Sequence, residues 1–165
     1  MNHSANARMA GAALLLLVAA GLALFRAGMW PFPPAPREER SSPGTIAVRV
    51  GPATLTVEVV RTPATWARGL SKRRTLAPGA GMLFLFPVRA ARVFWMKDTW
   101  IPLDIIWVLE ERVVGVSAEV QPEPGTAEAD LRQYVSPGPV DLVIETRAGW
   151  TRAVGVRTGD VVVVP

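Results

Sequence analysis

Between Val93 and Leu109 the chain reads VFWMKDTWIPLDIIWVL. Lys97, Asp98 and Asp104 interrupt an otherwise apolar run, and three of the chain's six tryptophans fall inside it (Trp95, Trp100 and Trp107). An unpaired charge in apolar surroundings is costly, so the fold must bring partners or water to these three side chains. That requirement divides the stretch. Val93 to Met96 reads as a strand, Lys97 to Pro102 as an irregular turn, and Leu103 to Leu109 as a second strand. In the second strand Leu103, Ile105, Trp107 and Leu109 share one face, while Asp104, Ile106 and Val108 share the other.

The flanking chain has the same short-strand character. Ile46 to Val50 and Thr54 to Val60 alternate apolar and polar residues around Gly51-Pro52, the pattern of a β-hairpin. Thr62-Pro63 supplies a hydroxyl cap and a proline at the first helical position, predicting a short helix that ends near Gly69-Leu70. Met82 to Phe86 is continuously apolar, as expected of a strand covered on both faces. Glu110-Glu111 turns a hairpin that returns through Val113 to Val120. Residues 121–139 form a proline-bearing loop with one helical turn around Thr126 to Leu131. Val140 to Glu145 is a strand, Ala148 to Val154 a short helix stopped at Gly155, and Val161 to Val164 the last strand. About eight short strands and two or three short helices predict a mainly β fold, a small antiparallel barrel-like or sandwich domain. No repeat at solenoid or propeller spacing is present.

An apolar segment precedes this domain. Met9 to Phe25 carries no charge and is flanked by Arg8 and Arg26. Its length suits a short membrane-spanning helix better than a signal-peptide core, although Gly21-Leu22-Ala23 offers a cleavage site. We read residues 1–27 as an N-terminal membrane anchor, with a signal segment as the alternative. Residues 28–44 read as a proline-rich linker with Trp30 and Phe32 near the interface, and residues 45–165 as the β-rich domain. Arg8 places the N-terminus in the cytoplasm and the domain outside the cytoplasmic membrane, or secreted or periplasmic if the leader is cleaved.

Composition narrows the chemistry. The chain has no cysteine, which excludes disulfides, thiolate catalysis and thiolate metal sites. Its one histidine, His3, lies in the leader, so the domain has no Ser-His pair and no imidazole metal ligand. From Thr45 onward 14 Lys and Arg face 12 Asp and Glu, a net charge of +2. That balance gives little reason to expect nucleic acid as a partner. No cofactor and no metal are expected.

Several motifs then resemble one family in their order. They are Arg68-Gly69-Leu70-Ser71-Lys72-Arg73, Gly81-Met82-Leu83-Phe84, Phe94-Trp95-Met96-Lys97-Asp98-Thr99, Ile101-Pro102-Leu103-Asp104, Ile144-Glu145 and Gly159-Asp160. Together they resemble the uncharacterised DUF family 192 over nearly all of residues 54–164. The resemblance implies a small, single, mostly β domain, often behind a signal peptide or anchor, and no established activity. Three positions depart from the family pattern. Ser71 stands where Met is usual, Asp98 where Asn is usual, and Trp107 where a smaller aromatic is usual.

The candidate site is the turn inside the opening stretch. Asp98 and Asp104 flank the connection from Thr99 to Leu103, and folding it back would face both carboxylates into one cleft with Lys97 and Thr99. Such a pair could act as acid and base, could hold a hard cation, or could bond turn amides and pair with Lys97 or an arginine. Trp100 is the tryptophan expected at the surface, whereas Trp95 and Trp107 are expected in the core. Arg68 and Arg73 are the candidate anion partners, beside the basic run Ser71 to Arg74, and Glu145 and Tyr134 are further polar candidates. No residue is assigned a catalytic role. The leading expectation is a membrane-tethered accessory domain facing the envelope and binding a small polar or envelope-derived ligand. The alternatives are a carboxylate-dependent hydrolase and a structural partner of another envelope protein.

Overall fold

The computed structural model describes residues 44–165. The leader, and all of the linker but Gly44, lie outside the described residues. Among those described, no helix is long and apolar enough to cross a membrane.

The expected hairpin forms from β1 (Thr45–Val50) and β2 (Ala53–Val60), joined at Gly51, whose φ is 54°. Helix α1 (Pro63–Arg68) follows, and Thr62 caps it. The Thr62 hydroxyl accepts from the Thr65 amide at 3.3 Å, and the Thr62 amide donates to the Thr65 hydroxyl at 3.0 Å. This reciprocal pairing satisfies two groups a helix start leaves open. The apolar run expands into β3 (Ala80–Ala90). Of the strand expected over Val93 to Met96 only β4 (Val93–Phe94) forms, and it pairs with β7 (Tyr134–Val135) in a separate two-stranded ribbon. Strands β5 (Leu103–Leu109), β6 (Arg112–Val120) and β8 (Val140–Arg147) fall close to the stretches expected from the sequence. A single 3-10 turn occupies Glu128–Asp130, helix α2 spans Trp150–Val154, and β9 is Val162–Val163.

The main sheet has seven strands in the order β6-β5-β8-β3-β2-β1-β9. It is antiparallel except for β2 and β3, which run parallel across the connection that carries α1. The sheet curls into a half-barrel whose ends meet at one corner. There the Val162 amide donates to the Glu111 carbonyl at 2.7 Å and the Val113 amide to the Asp160 carbonyl at 2.9 Å. The concave face buries Val48, Leu55, Val57, Leu83, Ile106, Ile144 and Val162. The opposite face buries Met82, Phe84, Leu103, Ile105, Trp107 and Val143. It is covered by α1 and by the loops around Leu70, Met96 and Ile101. Strand β5 is covered on both faces, which is why it reads as an almost unbroken apolar run.

One glycine is required by this packing. A Cβ on Gly81 would sit 2.5 Å from the Glu145 carbonyl oxygen on the neighbouring strand. Neither β3 nor β8 can retreat without breaking its other pairing. Gly81→Ala is therefore expected to lower the unfolding free energy by about 2–3 kcal/mol. Urea denaturation reads this directly, and an unchanged midpoint would show that the two central strands can part.

Candidate functional site

The expected cleft between Asp98 and Asp104 does not form. Asp104 is fully buried, and its two carboxylate oxygens accept four hydrogen bonds. Oδ1 accepts from the amides of Glu119 (2.8 Å) and Gly149 (3.0 Å). Oδ2 accepts from the Thr151 amide (2.9 Å) and hydroxyl (2.7 Å). The donors explain the role. Glu119 has φ 52° at a register irregularity between β5 and β6, and a bulge leaves its amide unpaired. Helix α2 starts on Gly149, which has no side chain to cap it, so Asp104 supplies the cap from β5. Asp104 is a structural clamp with both oxygens committed to the protein.

Asp98 is exposed and lies in the left-handed region, with φ 51°. Its carbonyl accepts from the Lys72 amide at 2.7 Å. Asp and Asn tolerate this conformation better than most residues, so the position is chosen for its backbone. Arg73 is also engaged elsewhere, holding Glu58 with two bonds of 2.5 Å each. That hydrogen-bonded pairing raises the pKa of Arg73, which lines neither cavity near the candidate site. Trp100 is exposed, as expected, but stacks under the Arg74 guanidinium at 4.8 Å and lines no cavity of the candidate site.

The remaining candidates, Arg68, Lys97 and Thr99, converge on one pocket of about 290 Å³ on the convex side of the sheet. Its aromatic lining comes from Trp66 of α1, Phe84 and Phe86 of β3, Phe94 of β4, and Trp95. The expectation that Trp95 is core fails, because it is 41% exposed at the edge of this pocket. Trp107 is core as expected, and its indole donates to the Ser117 hydroxyl at 3.1 Å. These aromatics are held from behind. Phe94 packs edge-on against Phe84 at 5.0 Å and Trp107 at 5.4 Å, and Trp66 meets Phe86 at 5.0 Å. Thr99 is buried, with its hydroxyl donating to the Lys97 carbonyl at 3.3 Å. The Lys97 ammonium pairs with Glu128, and that hydrogen bond raises its pKa.

Glu145 is the acid in this pocket. It sits in β8, opposite Met82 on one side and Ile105 on the other, in the middle of the sheet. It is 5% exposed, and its Oε2 has no hydrogen-bond partner in the protein. Burial pushes its pKa from the ordinary 4.5 to about 8, so at neutral pH the carboxyl keeps its proton. A protonated carboxyl can donate one hydrogen bond and accept others. Arg92 lines the same pocket, and its Nε is a second buried polar atom without a partner. The Arg92 guanidinium stacks on Phe86 at 4.0 Å and bonds the Val88 carbonyl through Nη2. Among the described residues no group of three acidic, His or Cys side chains is placed to hold a metal ion.

A family profile described as "Uncharacterized ACR", DUF192, matches residues 46–164. The chain belongs to the DUF192 family. Two solved structures share its fold. One is a protein of unknown function from Novosphingobium aromaticivorans, 31% identical with a TM-score of 0.68, covering 77% of this chain and 90% of that one. The other, from Sinorhizobium meliloti, is described as a candidate transcription regulator. It is also 31% identical with a TM-score of 0.68, covering 75% of this chain and 96% of that one. No curated protein matches.

In this DUF192 domain Glu145, a secondary polar candidate from the sequence, is the central acid of the pocket. It is the lone acid inside the run Val143-Ile144-Glu145-Thr146, on the face shared with Val143. The same reasoning that singled out Asp104 applies to it. Phe84 and Phe86 likewise stand two apart on one face of β3. Arg92 carried no local signal. Tyr134, the other further candidate, is half-buried in β7 opposite Phe94, with Arg132 over its ring at 5.2 Å.

Proposed function

We propose that this DUF192 domain is a small-ligand-binding module, membrane-tethered and facing the envelope, and that its binding site is the Glu145 pocket. The observation that carries the reading is the Glu145 carboxyl, with an oxygen lacking any partner, in an aromatic-lined cavity. Binding pockets combine apolar walls with polar groups that orient the ligand, and this cavity sets Arg68, Arg92, Lys97, Thr99 and Glu145 among five aromatic rings. A ligand offering one acceptor or donor to Glu145 would satisfy a group that the protein leaves open. The uncharged segment from Met9 to Phe25 and the proline-rich linker support the tether.

Calorimetric titration of the full chain in detergent micelles with small cyclic polar compounds, glycan fragments among them, tests the binding. A saturable heat is expected, weakened at least about tenfold in Glu145→Leu while circular dichroism is unchanged. Silence across the panel would sink the reading. For the tether, recovery of Met1 by N-terminal sequencing of membrane-fraction protein is the expected result, and a mature start after Ala23 overturns it.

A second reading has one observation in its favour. A carboxyl that holds its proton at neutral pH is suited to general acid catalysis. The hydrolase built on Asp98 and Asp104 has no geometry behind it, so an enzyme here would have to use Glu145. Conversion of a bound compound, followed by product analysis, separates an enzyme from a binding module.

A further inference from the structure

We infer that the pocket takes a small ring-bearing organic anion, its ring against the aromatic walls and its anionic group against Arg68 and Arg92. This rests on the binding reading above and adds the chemical class of the ligand. The charges around the pocket are lopsided. Arg68, Arg92 and Lys97 line it, and a neighbouring cavity that shares Arg68, Trp95 and Lys97 adds Lys72 and Asp98. Lys97 is already engaged by Glu128. Arg68 makes no ion pair among the described residues. Arg92 Nε is buried without an acceptor, and a ligand carboxylate would provide one. The acid inside the pocket, Glu145, is neutral at neutral pH and does not oppose an anion.

The remaining surfaces of the pocket fix the rest of the ligand. Trp66, Phe84, Phe86, Phe94 and Trp95 present rings, which favour the flat face of an aromatic or the apolar face of a sugar ring. About 290 Å³ is at the lower end of small-molecule sites, enough for one substituted ring. The Glu145 carboxyl would donate to a carbonyl, hydroxyl or ring oxygen of the ligand. The shared chemistry is a ring with a carboxylate, and an aromatic acid or an acidic sugar would both provide it.

The test titrates the full chain in detergent micelles with two series, substituted benzoates and uronic acids, each beside its methyl ester. At least one acid is expected to bind about tenfold or more tightly than its ester. The series that responds identifies the source. Arg68→Ala, at an exposed position without an ion pair among the described residues, keeps the fold and is expected to shrink that acid-to-ester ratio toward one. Arg92→Gln is expected to do the same, and Trp100→Ala, outside the pocket, to keep the ratio. Esters that bind as well as acids, with binding still dependent on Glu145, overturn the anion inference and leave the binding site standing. An acid preference that survives both arginine substitutions overturns it too. No binding by any acid or ester defeats the anion inference, and the panel above then decides whether the site itself stands.

Discussion

Asp104→Ala is expected to lower the unfolding free energy by about 3–5 kcal/mol. The carboxylate is fully buried and accepts four hydrogen bonds, from β6, from the α2 start and from the Thr151 hydroxyl. Alanine would leave those donors without acceptors, and buried donors left unpaired are the expensive part of such a change. Asp104→Asn is close to isosteric, yet it replaces one acceptor oxygen with an NH₂ group that meets other donors. It too should destabilise, by about 2 kcal/mol or more. Guanidinium denaturation followed by far-ultraviolet circular dichroism gives both values. A loss below 1 kcal/mol for the alanine variant would show that water replaces the clamp and that the site can open. Fragment binding to Asp104 variants needs this measurement beside it, since lost signal from a partly unfolded domain mimics a lost ligand contact.

The second large effect is a pH dependence. Burial raises Glu145 from 4.5 to about 8. Between those values the folded chain holds a proton that the unfolded chain has released. Stability must therefore fall as pH rises through that window. The penalty is absent below about pH 4.5 and complete above about pH 8. At about 1.4 kcal/mol per pH unit the window corresponds to about 3–5 kcal/mol, with water that enters the pocket acting to reduce it. Glu145→Gln cannot ionise, so it should lose this alkaline decline while keeping its acid-side stability close to that of the parent chain. Urea midpoints measured from pH 4 to pH 9 for both proteins check the sign. Parallel curves would mean that Glu145 ionises freely in the folded state. A bound ligand that accepts from the protonated carboxyl should bind more weakly above pH 8 for the same reason.

The pocket also bears on how relatives can be compared. Arg68, Lys97, Thr99 and Glu145 all fall within motifs shared with the DUF192 family, but they come from three separate segments. Within the Phe94-Trp95-Met96-Lys97-Asp98-Thr99 motif the residues divide by role. Phe94, Trp95, Lys97 and Thr99 line the pocket, Met96 is core, and Asp98 holds a left-handed turn. A motif of this kind mixes contacts with a ligand, packing and backbone conformation in consecutive positions.

By itself the sequence determined the local structure. Period-two alternation marked β1 and β2, the Glu110-Glu111 turn marked β6, the apolar runs marked β3 and β5, and Thr62-Pro63 marked α1, because strand faces, caps and turns depend on neighbours in the chain. It also showed that Asp104 needed partners. The tertiary structure alone decided who those partners are, since Glu119, Gly149 and Thr151 lie 15 to 47 residues away. It likewise decided that Arg73 belongs to Glu58, that Trp95 faces solvent, and that β2 and β3 run parallel. The site followed the same division. Three of its polar residues, Arg68, Lys97 and Thr99, were legible as a charged and hydroxylated neighbourhood, while Glu145 became the centre only once β8 was set in the middle of the sheet. Burial is a property of the whole assembly, and burial is what keeps the proton on Glu145.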